Sequence, residues 1–212
     1  MYQPAHFAQD DPAALAALMR AHPLATLVHT GPDGLDADHL PFEWDPEQRT
    51  LRGHVARANP LWRHADGQSV LAVFGGPDAY VSPNWYPSKA LHHKVVPTWN
   101  YAVVHAHGRL RAIDDAPWLQ AFVTRLTARH EAASPAASAI ADAPPEFIAQ
   151  MLRAIVGIEI SVQRLSGKFK LSHNRDAADR AGVVAGLGAA HPMAALVSGA
   201  GAAAPPPPAP AG

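Results

Sequence analysis

The chain has 212 residues, 48% of them apolar, with 17 Lys and Arg against 18 Asp and Glu; that is enough for one substantial core, and length alone permits one large domain or two small ones. A net charge of −1 gives no overall positive field to hold nucleic-acid phosphates or an anionic membrane. The absence of cysteine excludes disulfides, thiolate metal sites and a thiol nucleophile, and fits a reducing compartment.

The start, M-Y-Q-P-A-H-F-A-Q-D-D, has no basic stretch leading into an apolar run, and no apolar run reaches the roughly 18 residues of a membrane span. The expectation is a cytoplasmic protein with no membrane partner. Asp11 and Pro12 open a helix, a capping acid before proline at the first helical position, and Leu15, Leu18 and Met19 recur at helical spacing up to Pro23. Residues 24–30 read as a strand, Gly31-Pro32-Asp33-Gly34 as a tight turn, and 35–45 as the returning strand, with Pro41 implying an edge or a break in pairing. Residues 50–56 form the next strand, and Asn59-Pro60 begins a short helix.

Residues 69–74 are a short apolar strand, turned by Gly75-Gly76-Pro77, with strand resuming at 79–82 before the proline-broken loop S-P-N-W-Y-P-S-K. The stretch from Lys94 to Gly108 organises the rest. Read with a period of two, Ala102, Val104, Ala106 and Leu110 share a small apolar face, while Trp99, Tyr101, Val103, His105, His107, Arg109 and Arg111 share an aromatic and basic one. The first suits the inside of a tight barrel, and the second suits a ring system, a second subunit or both. Gly108 marks a bulge or a close backbone approach. Asp115 caps a helix carrying Leu119, Phe122, Val123 and Leu126; residues 131–145 are a linker; Pro145 starts another helix to about Arg153. Ile158, Ile160 and Val162 alternate with polar residues as a half-buried strand. Hairpin-joined strands with helices between them predict a mainly β, antiparallel barrel with peripheral helices, an α+β chain. From residue 188 the sequence turns to Ala, Gly and Pro. The expected organisation is therefore one domain over 1–187 and a disordered tail over 188–212.

His105 and His107 share a strand face that could chelate a metal, but no acids at recognisable spacing accompany them, so no metal site is assigned. G-L-G-A-A-H at 186–191 follows no strand and reads as linker rather than a dinucleotide fingerprint. In G-H-V-A-R-A-N-P-L-W (53–62), a strand end with His54 and Arg57 leads into a helix start at Asn59-Pro60. This is either a phosphate pocket or a solvated arginine. Lys168, Lys170 and Arg175, flanking a helix cap at Ser172 or Asn174, are either a second anion site or a charged surface turn. Phosphate contacts at one end and a tryptophan-lined face at the other would suit flavin mononucleotide (FMN).

The runs D-H-L-P-F (38–42), G-H-V-A-R-A-N-P (53–60), Y-V-S-P-N-W-Y (80–86), K-V-V-P-T-W-N-Y (94–101), V-H-A-H-G (104–108) and G-K-F-K-L-S-H-N-R (167–175) together resemble the PaiB family, described as FMN-binding negative transcriptional regulators. The resemblance covers about residues 1–187. His173 departs from the family's glutamine. It implies an FMN-binding split β-barrel related to pyridoxamine-phosphate oxidases, a homodimer with flavin at the subunit interface. It also implies a cofactor site: His54, Arg57 and Asn59 at the phosphate, the strand His39, Leu40, Pro41 and Phe42 along the isoalloxazine, Lys94, Thr98, Trp99 and Asn100 completing it, and Trp85 stacked on or covering the ring. Two roles are open. A regulator would bind DNA, although neither a helix-turn-helix nor net positive charge is evident. An FMN-dependent oxidoreductase would act without a DNA role. Haem, with His105 or His107 on the iron, is a further reading ranked well below FMN.

Overall fold

The structure, a computed structural model, describes residues 1–200. After a two-residue strand β1 (Ala8–Gln9), helix α1 spans Pro12–Ala21. Asp11 caps it, its carboxylate accepting from the backbone N–H of Ala13 at 3.1 Å and Ala14 at 3.3 Å. Strands β2 (Leu24–Gly31) and β3 (Gly34–Pro41) form the expected hairpin. The strand expected over 35–45 is broken after Pro41: the N–H of Phe42 turns to the carbonyl of Pro23, and β4 resumes at Glu43–Asp45. Strand β5 (Thr50–Ala56) and helix α2 (Leu61–His64) follow.

Strand β6 runs unbroken over Ser69–Val81, so Gly75-Gly76-Pro77 is not a turn. A Cβ on Gly76 would lie 3.0 Å from Leu18 Cδ1 and 3.1 Å from the carbonyl of Ala102. The glycine admits a close approach to a neighbouring strand instead of reversing the chain. The proline-broken loop holds a 3-10 turn (Pro83–Trp85) and helix α3 (Ser88–His92). Strand β7 runs from Thr98 to Ile113 and alternates from Trp99 to Arg111. Asn100, Ala102, Val104, Ala106 and Leu110 are buried, and Trp99, Arg109 and Arg111 are exposed. Gly108 is the close approach: a Cβ there would sit 2.4 Å from the carbonyl oxygen of Ser161. Asp115 caps α4 (Ala116–Glu131) through the N–H of Trp118 at 2.7 Å. Helix α5 (Pro145–Arg153), strand β8 (Ile155–Lys170), α6 (Ala177–Leu187) and α7 (Pro192–Ala200) complete the described chain.

Hydrogen bonding orders the strands β3-β2-β6-β7-β8-β5-β4, with β1 on β8. β2 is antiparallel to β3 and β6, and β5 to β4 and β8. This is the mainly β class with peripheral helices that the sequence predicts. The chain groups into two compact units: Met1–Leu18, Gly75–Val104 and the residues from Ser166 on form one, and Met19–Phe74 with His105–Leu165 the other. In the second, Leu27, Phe42, Leu51, Phe74, Phe122, Ile158 and Ile160 are buried, each contributing roughly 1.5–3 kcal/mol. In the first, Val81, Tyr86, Leu171, Val183, Met193 and Val197 pack together.

Two elements of that cluster correct the sequence reading. The helix cap after β8 is Asp176, which accepts from the N–H of Asp179 at 2.7 Å and starts α6, rather than Ser172 or Asn174. Part of the tail expected from 188 is helical. Pro192 opens α7, whose Met193, Ala194 and Val197 share one buried face, enough apolar area to offset ordering a short helix. The rest of the expected tail, 201–212, lies outside the described residues. No helix among the described residues is long and apolar enough to cross a membrane.

Candidate functional site

The expected site residues divide between the two units. In the second, Arg57 stands at the end of β5 with its donors directed inward. Nη1 and Nη2 meet the Asp114 carboxylate at 2.7 and 2.5 Å, Nε meets the Arg153 carbonyl at 2.7 Å, and Nη2 also meets the Ile155 carbonyl at 3.1 Å. That bidentate pair is the geometry a phosphate would require, so a phosphate could take the same fork of Arg57 only by displacing Asp114. Of the two readings of 53–62, a phosphate pocket or a solvated arginine, the structure shows an arginine engaged by the protein's own groups. His54 packs edge-on against Phe122, at 5.9 Å between ring centroids, and burial holds its imidazole below the usual histidine pKa. Asn59 donates to Asp38 at 2.6 Å and accepts from the N–H of Leu61 at 2.8 Å. Asp38 also meets His29 Nε2 at 3.1 Å. His29, 4% exposed, was missed in the sequence because its partner lies across a strand pair.

The run His39–Phe42 alternates. Leu40 and Phe42 are buried in the core, while His39 is exposed and Pro41 half-buried. Gly53 makes room for Phe42, whose ring carbons would lie 3.1 Å from a Cβ there. Only the backbone of Leu40 and Phe42 is therefore available to a ligand from this run, because both side chains fill the core. His105 and His107 lie 6.2 Å apart between ring centroids, and no cluster of three His, Asp or Glu side chains able to hold a metal occurs among the described residues. A cavity of about 320 Å³ between Glu43, Asp45, Glu47, Arg52 and Arg125 has both of its arginines already paired, Arg52 with Asp45 and Glu159 and Arg125 with Glu43.

In the first unit, Trp85 lies against α6. A Cβ on Gly186 would be 2.3 Å from its indole, and one on Gly182 would be 1.9 Å from its carbonyl oxygen. The glycine read as linker at 186 is a seat for Trp85. Trp99 is 55% exposed and meets Tyr80 edge to face at 6.1 Å. Lys94 is exposed.

Thr98 and Asn100, by contrast, converge with the basic run that follows β8. Thr98, Asn100, Lys170, Ser172, Asn174 and Arg175 line a cavity of about 110 Å³, with Tyr86 and Val96 as its apolar wall. Lys170 Nζ donates to Thr98 Oγ1. Asn100, 1% exposed, and Ser172, 4% exposed, exchange hydrogen bonds. Arg175 lies over the Tyr86 ring, 4.8 Å from its centroid. Burial pushes the Lys170 ammonium below its ordinary pKa. Among the described residues neither Lys170 nor Arg175 forms an ion pair with a carboxylate. Two cations, amides and hydroxyls around one small space, with no acid, can bind an anion. His173, the departure from the family's glutamine, is directed elsewhere, edge-on to Phe7 at 5.3 Å with Nε2 on the His6 carbonyl.

The family described as "Putative FMN-binding domain" matches residues 1–164. An uncharacterized protein of Emericella nidulans is 32% identical over 88% of this chain and 90% of its own length. The Protease synthase and sporulation protein PAI 2 of Bacillus subtilis is 30% identical over 87% of each chain. Among solved structures, the flavocytochrome Anf3 from Azotobacter vinelandii superposes with a TM-score of 0.62 at 16% identity, over 77% of this chain and 69% of that one. An FAD and heme binding protein from Mycobacterium smegmatis gives 0.56 at 17% identity, over 77% and 73%. The fold is shared with flavin-binding split barrels.

Proposed function

The chain belongs to the PaiB-like family of FMN-binding domains, and from that premise we propose that it binds FMN as a cytoplasmic homodimer and acts as a negative regulator whose state depends on the flavin. The match over residues 1–164 supports the FMN part of this reading; the regulatory role rests on the resemblance to the PaiB family. Exposed Tyr80, Leu91, Val96 and Trp99, all in one unit, support an apolar surface for a second copy and for the isoalloxazine. Lys94 and Trp99, in that same unit, remain the proposed contacts to the ring system. Thr98 and Asn100 line the neighbouring anion cavity. Bound FMN supplies one- and two-electron redox chemistry, and the chain's part is to hold and orient it.

The experiment is an absorption spectrum of the purified protein before and after adding FMN, with its mass in solution. A flavin spectrum on a particle of twice the chain mass supports the proposal; protein that takes up no FMN overturns it. A gel shift with the protein's own upstream DNA, at stated salt, then tests the regulatory role. Flavin reduction by NADH or NADPH without a DNA shift would assign the oxidoreductase role instead.

A further inference from the structure

We infer that the cavity between Thr98, Asn100, Lys170, Ser172, Asn174 and Arg175 is a phosphate-monoester site; that its monoester is the ribityl 5′-phosphate of FMN rests on the reading above. The expected phosphate contact, Arg57, is held by Asp114. The family match ends at residue 164, and four of the six residues named here lie beyond it.

The cavity is built rather than incidental. Ser172 adopts a left-handed conformation, φ 57°, which few non-glycine residues do. That turn brings its hydroxyl back onto the buried Asn100, and the N–H of Arg175 closes it on the Ser172 carbonyl at 2.9 Å. The turn thereby brings Arg175 beside Lys170, which stands at the end of β8. Lys170 is half-buried, and burial opposes its charge. A dianionic phosphate offsets the burial of that charge and can accept from both cations and from the amide and hydroxyl donors that line the cavity. Size decides between parts of a ligand. A volume of about 110 Å³ holds a phosphate head, whereas pockets for whole ligands begin at roughly 300 Å³. The rings must therefore lie outside the cavity, with only the phosphate inserted.

The test uses the full chain and two variants, Lys170→Met, which keeps the apolar stem, and Arg175→Gln. Inorganic phosphate is expected to raise the melting temperature of the wild type and to do so far less in either variant. FMN and riboflavin share every atom but the phosphate. Losing one charge-assisted contact is expected to weaken FMN by about tenfold to a hundredfold while riboflavin affinity stays the same. If phosphate gives no stabilisation and the FMN-to-riboflavin ratio is the same in wild type and variants, the site is overturned, whether or not flavin binds. If phosphate stabilises through Lys170 but FMN does not bind, the site stands for another monophosphate and the flavin reading falls.

Discussion

Asn100 and Ser172 meet in a buried pair: Asn100 Nδ2 donates to Ser172 Oγ at 2.9 Å, and the hydroxyl lies 3.2 Å from Asn100 Oδ1. One residue is on the inner face of β7 and the other is in a left-handed turn after β8. Replacing Asn100 by Ala removes the side-chain partner of a hydroxyl on a residue only 4% exposed. Asn100→Ala should therefore lower stability by about 1–3 kcal/mol, read as the shift of a urea midpoint at unchanged slope. Equal midpoints would mean that Ser172 is held by its backbone alone.

The two glycines of α6 that face Trp85 make a second prediction. A Cβ at Gly182 meets the Trp85 carbonyl oxygen at 1.9 Å, and one at Gly186 meets the indole at 2.3 Å. Neither contact can form, so helix or loop must move. Gly182→Ala and Gly186→Ala should each cost about 1–3 kcal/mol and shift the tryptophan emission. Gly75→Ala, where a Cβ meets no described atom within 4 Å, should leave the thermal midpoint in place. Three equal thermal midpoints would show that α6 is not seated on Trp85.

These residues show how far the sequence could be read. The alternation along β7 was legible because one face is apolar and small at every second residue from Ala102 to Leu110. The role of Gly75-Gly76-Pro77 was not, since the same residues serve in turns and in straight strands brought close to a neighbour; the distance from Gly76 to Ala102 decides, and it is a property of the fold. Gly186 looked like linker because its partner, Trp85, is far away along the chain. Arg57 was recognised as a directed cation, but its direction is set by Asp114 and the Arg153 carbonyl, which are distant in sequence. The residues of the anion cavity were noticed in two separate runs, and only the pairing of β7 with β8 unites them.

The Arg57–Asp114 pair predicts a titration. The guanidinium holds the Asp114 carboxyl below its ordinary value. In Arg57→Gln that carboxyl should titrate at the usual position, as followed by NMR. The sign follows: a carboxylate with a lowered folded pKa adds stability above its unfolded pKa, and loses it as pH falls through the folded one. Both groups are substantially exposed, so the effect should shrink with added salt. The ratio of FMN to riboflavin affinity should not change in this variant; a selective loss of FMN would return Arg57 to the phosphate.

His54 predicts the opposite side of neutral. Burial lowers its pKa from 6.5, and its Nδ1 is enclosed without a partner. The unfolded chain therefore takes up a proton at a higher pH than the folded one. Its contribution to stability is present above about pH 6.5 and is lost as pH falls through the lowered value. His105, His107 and His173 are lowered by burial as well, so the wild type should be markedly less stable at pH 5.5 than at pH 7.5. His54→Phe, which keeps the aromatic contact with Phe122, should lose part of that dependence in urea midpoints measured at both pH values. An identical slope would place the sensitivity on the other three.

Asp38 is the joint between β3 and the start of α2. Its Oδ1 accepts from Asn59 and its Oδ2 meets His29, while Asn59 Oδ1 receives the N–H of Leu61. His29, almost fully buried, has no other recorded partner on its ring, and Nδ1 is enclosed and unsatisfied. Asp38→Ala leaves an amide and an imidazole unpaired at once and should cost about 1–3 kcal/mol. A cycle with His29→Phe should show coupling of about 0.5–3 kcal/mol, because the second substitution removes a group that the first has already stranded. Amide exchange at Leu61 should quicken in Asp38→Ala and stay slow in His29→Phe, since only the former frees Asn59. If exchange is equally slow in both, Asn59 is fixed by the turn at Pro60, and Asp38 holds the histidine alone.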